Sequence, residues 1–130
     1  MILDTAFVID VWDGDHRAVA LADGLDRERT PQKLSAVTVF ELYTGVGRSS
    51  KPEPEREKVL TVLDSKTVVP ATETVMHIAG RRHGELIGAG ERIEQNDCII
   101  GATALTEDEP VVTPNAAHFE RIEGISVRTY

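Results

Sequence analysis

"IEQNDCIIGATAL", residues 93–105, is apolar on nearly every side: Cys98, Ile99, Ile100, Ala102, Ala104 and Leu105 leave no clear polar face. A helix of that kind packs against protein in several directions. Asp97 stands at its head, where the chain dips out of solvent. A buried carboxylate is costly unless something positive or hydrogen-bonding meets it. The plain explanation is a helix cap, with Asn96 or Asp97 accepting from the free N–H groups of the first turn. The alternative is that other acids converge on the same place.

Outward from that helix, the chain alternates short apolar runs with amphipathic segments. Met1 to Leu3 reads as a very short buried strand turning into a helix at Asp4-Thr5. Residues 15 to 28 carry Ala18, Leu21, Ala22 and Leu25 at helical spacing. "LSAVTVFELYTGV" reads as a strand at Leu34 to Val37 feeding a helix that ends near Gly45 or Gly47. A polar, proline-bearing connection leads to a helix through Val59, Leu60, Val62 and Leu63. "KTVVPA" is a strand stopped by Pro70, and Thr72 to Ala89 trace another amphipathic helix. After the Asp97 helix come a strand at Val111 to Thr113, a turn of helix at Ala116 to Phe119, and a strand at Ile125 to Val127.

Short unbroken apolar strands alternating with helices predict an α/β fold, with a short central parallel sheet covered on both faces by helices. In such sheets ligands gather at the carboxyl ends of the strands. Asp4, Thr38 to Glu41, Asn96-Asp97 and Thr113 to Asn115 all fall at strand-to-helix turns. Each has a structural explanation of its own. Asp4 fits a helix cap, Thr38-Val39-Phe40-Glu41 matches a capping box, and Asn115 fits a turn after Pro114. Independent caps need not converge on one sheet edge, however. Acids gathered there would repel and raise one another's pKa values, a conflict that a bound cation removes. Oxygen ligands without His or Cys suit Mg²⁺ or Mn²⁺.

The composition narrows the function. One hundred and thirty residues suit one domain spanning 1–130. With 41% hydrophobic and 28% charged residues the chain has the make-up of a globular protein. A net charge of −8 disfavours a general nucleic-acid or anionic-membrane binder. It leaves a cation-binding acid cluster, or an acidic surface suited to high salt, and the 10 Arg against 4 Lys fit the latter only weakly. No apolar run approaches a membrane span, and "MILDTAFVID" lacks a signal peptide's basic region. Cys98 is the lone cysteine, with no Cys/His zinc spacing, so a cytoplasmic location is the expectation. His16, His77 and His83 are scattered, and Arg81, Arg82 and Arg92 fit an exposed helix face or contacts to RNA phosphates. Trp12, Phe40 and Tyr43 are expected in the core or an interface, and Asp10 and Asp13 in solvent.

"MILDTAFVID", "SAVTVFELYTGV", "IEQNDCIIGATAL" and "VVTPNAAHFERIEGISVRTY" resemble, in order and spacing, the PIN-domain ribonucleases of the VapC toxin type. The parts are specific jointly: Asp-Thr after a first strand, Glu in a Glu-Leu helix 37 residues on, Asn-Asp before an Ile/Ala-rich helix, and Thr-x-Asn before Phe-Glu-Arg-Ile. The resemblance implies a Rossmann-like PIN fold and a metal-dependent endoribonuclease, the toxin of a toxin–antitoxin pair. By it, Asp4, Glu41 and Asp97 hold Mg²⁺ or Mn²⁺, with Thr5, Thr113 and Asn115 as polar supports. It also implies an RNA substrate, a VapB-like antitoxin and a homodimer. The sequence departs from many relatives in the last motif, where Asn115 to His118 offer no fourth acid. Other readings are a non-toxic PIN nuclease of RNA processing and an inactive PIN-fold binding module. A phospho-acceptor domain is disfavoured, because one acid rather than two follows the first strand and no Lys follows Lys66.

Overall fold

Two residues are enough to set which side of the sheet is which. Ile2 packs into one hydrophobic cluster and Leu3 into the other, and Val111 and Val112 divide the same way. This is the period-two alternation of strand side chains. The computed structural model describes residues 1–130. It contains β1 (Ile2–Leu3), α1 (Thr5–Trp12), α2 (His16–Arg27), β2 (Lys33–Ser35), α3 (Ala36–Arg48) and α4 (Pro52–Ser65). There follow β3 (Thr67–Val69), α5 (Glu73–Gly88), α6 (Gln95–Glu107), β4 (Val111–Val112), α7 (Ala116–Phe119) and β5 (Val127–Arg128).

All strand pairs are parallel, and the order is β3-β2-β1-β4-β5. Phe7 and Val8 of α1, Ala18 and Leu25 of α2, Leu42 of α3 and Val59 of α4 cover the Leu3 face. Val75, Ala79 and Leu86 of α5, the buried residues of α6 and Phe119 of α7 cover the Ile2 face. The helices on both faces of a parallel sheet are as the sequence predicts.

The all-round apolar character of α6 has its reason in this packing. Seven consecutive residues, Cys98 to Ala104, are buried. Gly101 lets the helix approach the turn after α7: a Cβ there would lie 2.5 Å from Ile122 Cδ1.

The chain leaves β1 for β2 on one side, and returns much later to place β4 on the other. The crevice beyond the carboxyl ends of β1 and β4 is therefore the switch point at which such sheets bind ligands. Asp4 follows β1 directly and Thr113 follows β4 directly.

One boundary matters for the site. The strand expected at Leu34 to Val37 ends at Ser35, and Val37 is already helical. Ser35 is the reason, since its Oγ accepts from the Val37 N–H at 3.2 Å and opens α3. Thr38 is thus inside the helix, and the capping box read over Thr38 to Glu41 does not exist. The final strand is shifted likewise, to Val127–Arg128 from the expected Ile125 to Val127.

Candidate active site

Asp4 is held in place by backbone before its side chain does anything. Its N–H donates to the Val112 carbonyl at 2.9 Å, and its own carbonyl accepts from Phe7 and Val8 at 3.0 and 3.2 Å. The carboxylate is 3% exposed and accepts from Thr113 Oγ1 at 2.7 Å. Thr113 Oγ1 in turn accepts from the Asn115 N–H at 2.9 Å, so its proton is committed to Asp4. Asp4 heads α1 without a full side-chain cap bond, although the Thr5 and Ala6 amides lie near enough to favour its charged form.

Glu41 comes from α3, one and a half turns in, and is half-buried. Thr5 Oγ1 donates to its Oε1 at 2.8 Å and lies 2.9 Å from Thr38 Oγ1. Asp97 is the third residue of α6 and also half-buried. It makes no capping bond; the cap position belongs to Glu94. The simple answer to what Asp97 does, capping its own helix, therefore fails on geometry. Asn115 is exposed at the head of α7, and its side chain makes no cap bond, so its recorded part is the backbone bond to Thr113.

These groups lie near enough for their charges to act on one another. Burial pushes the Asp97 carboxyl up to about 7, and the charges of Asp4, Glu41 and Glu94 push in the same direction. Asp4 is also raised, first by burial and then, against the Thr113 bond, by Glu41. No Lys, Arg, His or terminal amine lies in salt-bridge contact with Asp4, Glu41 or Asp97. Three mutually repelling acids, without a protein cation, sit at the switch point.

Their chemistry fits a hard divalent cation: carboxylate oxygens, flanked by hydroxyls. The Cys98 thiol is buried and raised to about 11, by burial and then by the Asp97 charge, which keeps it protonated. As they stand, the side chains do not close into a ready three-ligand cage.

Three features of this region were not foreseen in the sequence. Glu94, one turn before Asp97, adds its charge to the pocket. Its i, i+3 spacing was the available signal. Thr38 faces Thr5 rather than capping a helix. Asp10, expected in solvent, accepts from Tyr130 Oη at 2.6 Å, and Tyr130 packs on Phe7 with ring centroids 5.4 Å apart. Nothing local announces a contact across 120 residues. Phe40 is not core: it is 68% exposed.

The fold and the site have counterparts among known proteins. The PIN domain family model matches residues 1–125. Ribonuclease VapC2 of Haemophilus influenzae is 30% identical over 98% of this chain and 94% of its own length. Ribonuclease VapC10 of Mycobacterium tuberculosis is 33% identical over 75% of this chain and 69% of its own. The crystal structure of VapBC2 from Rickettsia felis bound to a promoter DNA fragment aligns with a TM-score of 0.87. It covers 99% of this chain and 97% of that one at 22% identity, a likeness of fold. The parallel sheet, the acids at its switch point and the match over almost the whole sequence agree: this chain belongs to the PIN-domain family, among the VapC ribonucleases.

Proposed function

We propose that this chain, as one PIN domain over residues 1–130, is the endoribonuclease toxin of a VapBC-type toxin–antitoxin pair. We infer further that Asp4, Glu41 and Asp97 are its metal-holding acids. The observation that carries the site is a buried Asp4 with half-buried Glu41 and Asp97 at one edge of the sheet, none of them paired with a cation. PIN ribonucleases depend on a divalent metal, and here Mg²⁺ or Mn²⁺ is the ion that suits an all-oxygen set. When bound, such an ion neutralises the charge on the phosphodiester and lowers the pKa of the attacking water.

The chain's own residues supply the rest. Thr113 donates to Asp4 Oδ2 and fixes the direction of its carboxylate. Thr5 does the same for Glu41 through Oε1. Asp97, with its carboxyl near 7, gives up its proton as the ion enters. Asn115 steadies Thr113 through its backbone, and its exposed amide is available to the substrate. The last motif supplies no acid at Asn115 to His118, and Glu94 is a further carboxylate whose charge reaches Asp97.

Among the relatives, VapBC2 of Rickettsia felis was crystallised as a complex on promoter DNA. For this chain a VapB-like antitoxin is the proposed partner, covering the acid pocket with a basic side chain. An apolar cleft of about 170 Å³ between α1, α2 and α4, lined by Phe7, Val11, Trp12, Ala22 and Val62, would receive its apolar residues. A homodimer is the proposed assembly, consistent with the exposed Phe40, Met76 and Ile87. No helix is long and apolar enough to cross a membrane, and the cytoplasm, where RNA is met, is the proposed location.

The test is cleavage of RNA by the purified chain. EDTA should abolish it, Mg²⁺ or Mn²⁺ should restore it, and Ca²⁺, with its looser coordination, should restore it poorly. Cleavage undiminished by EDTA would overturn the metal mechanism.

A further inference from the structure

The buried polar residues of this protein are Asp4, Thr5, Ser35, Thr38, Thr103 and Thr113. All lie at or beneath the carboxyl edge of the sheet. The cores on either side are lined by hydrocarbon. Burying a hydroxyl is unfavourable unless its hydrogen bond is made. Most of these hydroxyls have an evident duty. Thr113 serves Asp4, Ser35 opens α3, and Thr103 Oγ1 donates to the Ile99 carbonyl at 2.8 Å. Thr38 caps nothing, hydrogen-bonds no acid and is fully buried, and Thr5 is its one side-chain hydrogen-bond partner.

Proton accounting assigns its role. A threonine hydroxyl has one proton to donate, and an ionised carboxylate only accepts. Thr5 Oγ1 must therefore donate to Glu41 Oε1, across 2.8 Å. Its second short contact, 2.9 Å to Thr38 Oγ1, is then satisfied only if Thr38 donates. The chain of donation runs Thr38 to Thr5 to Glu41, in one direction, through buried atoms. Each bond polarises the next, so the Thr5 hydroxyl becomes a better donor than it would be alone.

We propose that Thr38 is a positioning residue of the metal site, which acts through Thr5 to fix the orientation of the Glu41 carboxylate. It touches neither metal nor substrate. The inference rests on Glu41 being a metal ligand, as proposed above. Partners that orient a ligand typically change metal affinity by about 10–100-fold when removed. A hydroxyl one bond further out belongs at the lower end, near tenfold.

Mn²⁺ binding to the purified full chain, measured by calorimetric titration in the absence of RNA, tests this directly. Thr38→Val keeps the shape and removes the donor; it should weaken Mn²⁺ binding about tenfold. Thr38→Ser keeps the donor and should bind within about twofold of the parent. In a Thr5→Val background, Thr38→Val should have no further effect, because the path to Glu41 is already cut. Melting curves in EDTA establish that each variant is folded, and Thr38→Ala gives the same reading if the valine variant is not. Cleavage should follow the binding: the half-saturating Mn²⁺ rises while kcat at saturating metal is kept.

Three results would overturn the proposal. They are parent-like Mn²⁺ affinity in Thr38→Val or Thr38→Ala, a Thr38→Ser as weak as the valine variant, and a full effect of Thr38→Val on top of Thr5→Val. A parent chain that binds no Mn²⁺ saturably would instead overturn the assignment of the acids themselves, and this inference with it.

Discussion

The two ends of the sheet handle acidic residues in opposite ways. At the amino end, Glu107 and Glu109 meet Lys33 Nζ at 3.2 and 3.1 Å, and Glu109 also lies 3.5 Å from the terminal amine of Met1. Those contacts, with Glu109 first and Glu107 next, hold the Lys33 ammonium above its ordinary pKa. At the carboxyl end, Asp4 and Glu41 accept from threonine hydroxyls, none of Asp4, Glu41 and Asp97 pairs with a cation, and the Asp4 and Asp97 carboxyls are pushed up. The same residue types in one small fold are neutralised where they only hold structure. They are left in conflict where a ligand is expected. Acidic clusters become informative when the protein declines to pair them.

The largest effect expected from this contrast is on activity. Asp97→Asn keeps size and helix compatibility but removes the charge proposed to hold metal. Metal-dependent RNA cleavage should fall by more than about a hundredfold, as for loss of a direct ligand rather than an outer partner. The same change at the other end, Glu109→Gln, should leave the cleavage rate within about twofold, because exposed or half-exposed pairs contribute little. A single-turnover assay at equal protein concentration reads both. Equal losses would dissolve the distinction between the two ends.

The pH dependence of metal binding comes next in size. Asp97 has a folded pKa of about 7 and must lose its proton to hold an ion. Below that value, Mn²⁺ affinity should fall about tenfold for each unit of pH, one proton being released per ion bound. Titrations at pH 5.5, 6.5 and 7.5 check it. A flat profile across that window would show that Asp97 is not a ligand. In Asp97→Asn the slope should be reduced.

Much of this contrast was legible in the sequence. Strand-helix alternation gave the parallel sheet, and the turns carrying Asp4, Glu41 and Asp97 lay at one edge of it. The element ends were less legible because strands of two or three residues are shorter than any period that could define them. Over Thr38 to Glu41, a local capping pattern matched by chance. A stronger cap, Ser35, had already started the helix, and that freed Thr38 and Glu41 to face Thr5. The charge network of Lys33, Glu107 and Glu109 and the Tyr130–Asp10 bond join residues more than seventy positions apart in sequence, and no periodicity carries such pairs.

The smallest effects are on stability, but their signs separate the two ends most cleanly. Asp97 binds a proton more tightly folded than unfolded, so the metal-free protein loses stability as pH rises from about 4 to about 7. The loss is complete above that range and should amount to about 1–2 kcal/mol once solvent screening of this half-buried group is allowed for. Asp97→Asn should remove the Asp97 share of this dependence, leaving that of Asp4. Lys33→Met should do the reverse at neutral pH, lowering the melting temperature by leaving two carboxylates without their cation.

The decisive measurement is a set of thermal melts at pH 7.5 and constant ionic strength, for the parent, Asp4→Asn and Asp97→Asn, in EDTA and in Mg²⁺. In EDTA both variants should melt above the parent, by about 5 °C. On adding Mg²⁺ the parent should gain the more, up to about 2.7 kcal/mol at a hundredfold excess over its dissociation constant. If the variants melt at or below the parent in EDTA and respond to Mg²⁺ as the parent does, the acids are not one frustrated, metal-holding cluster, and the account is wrong.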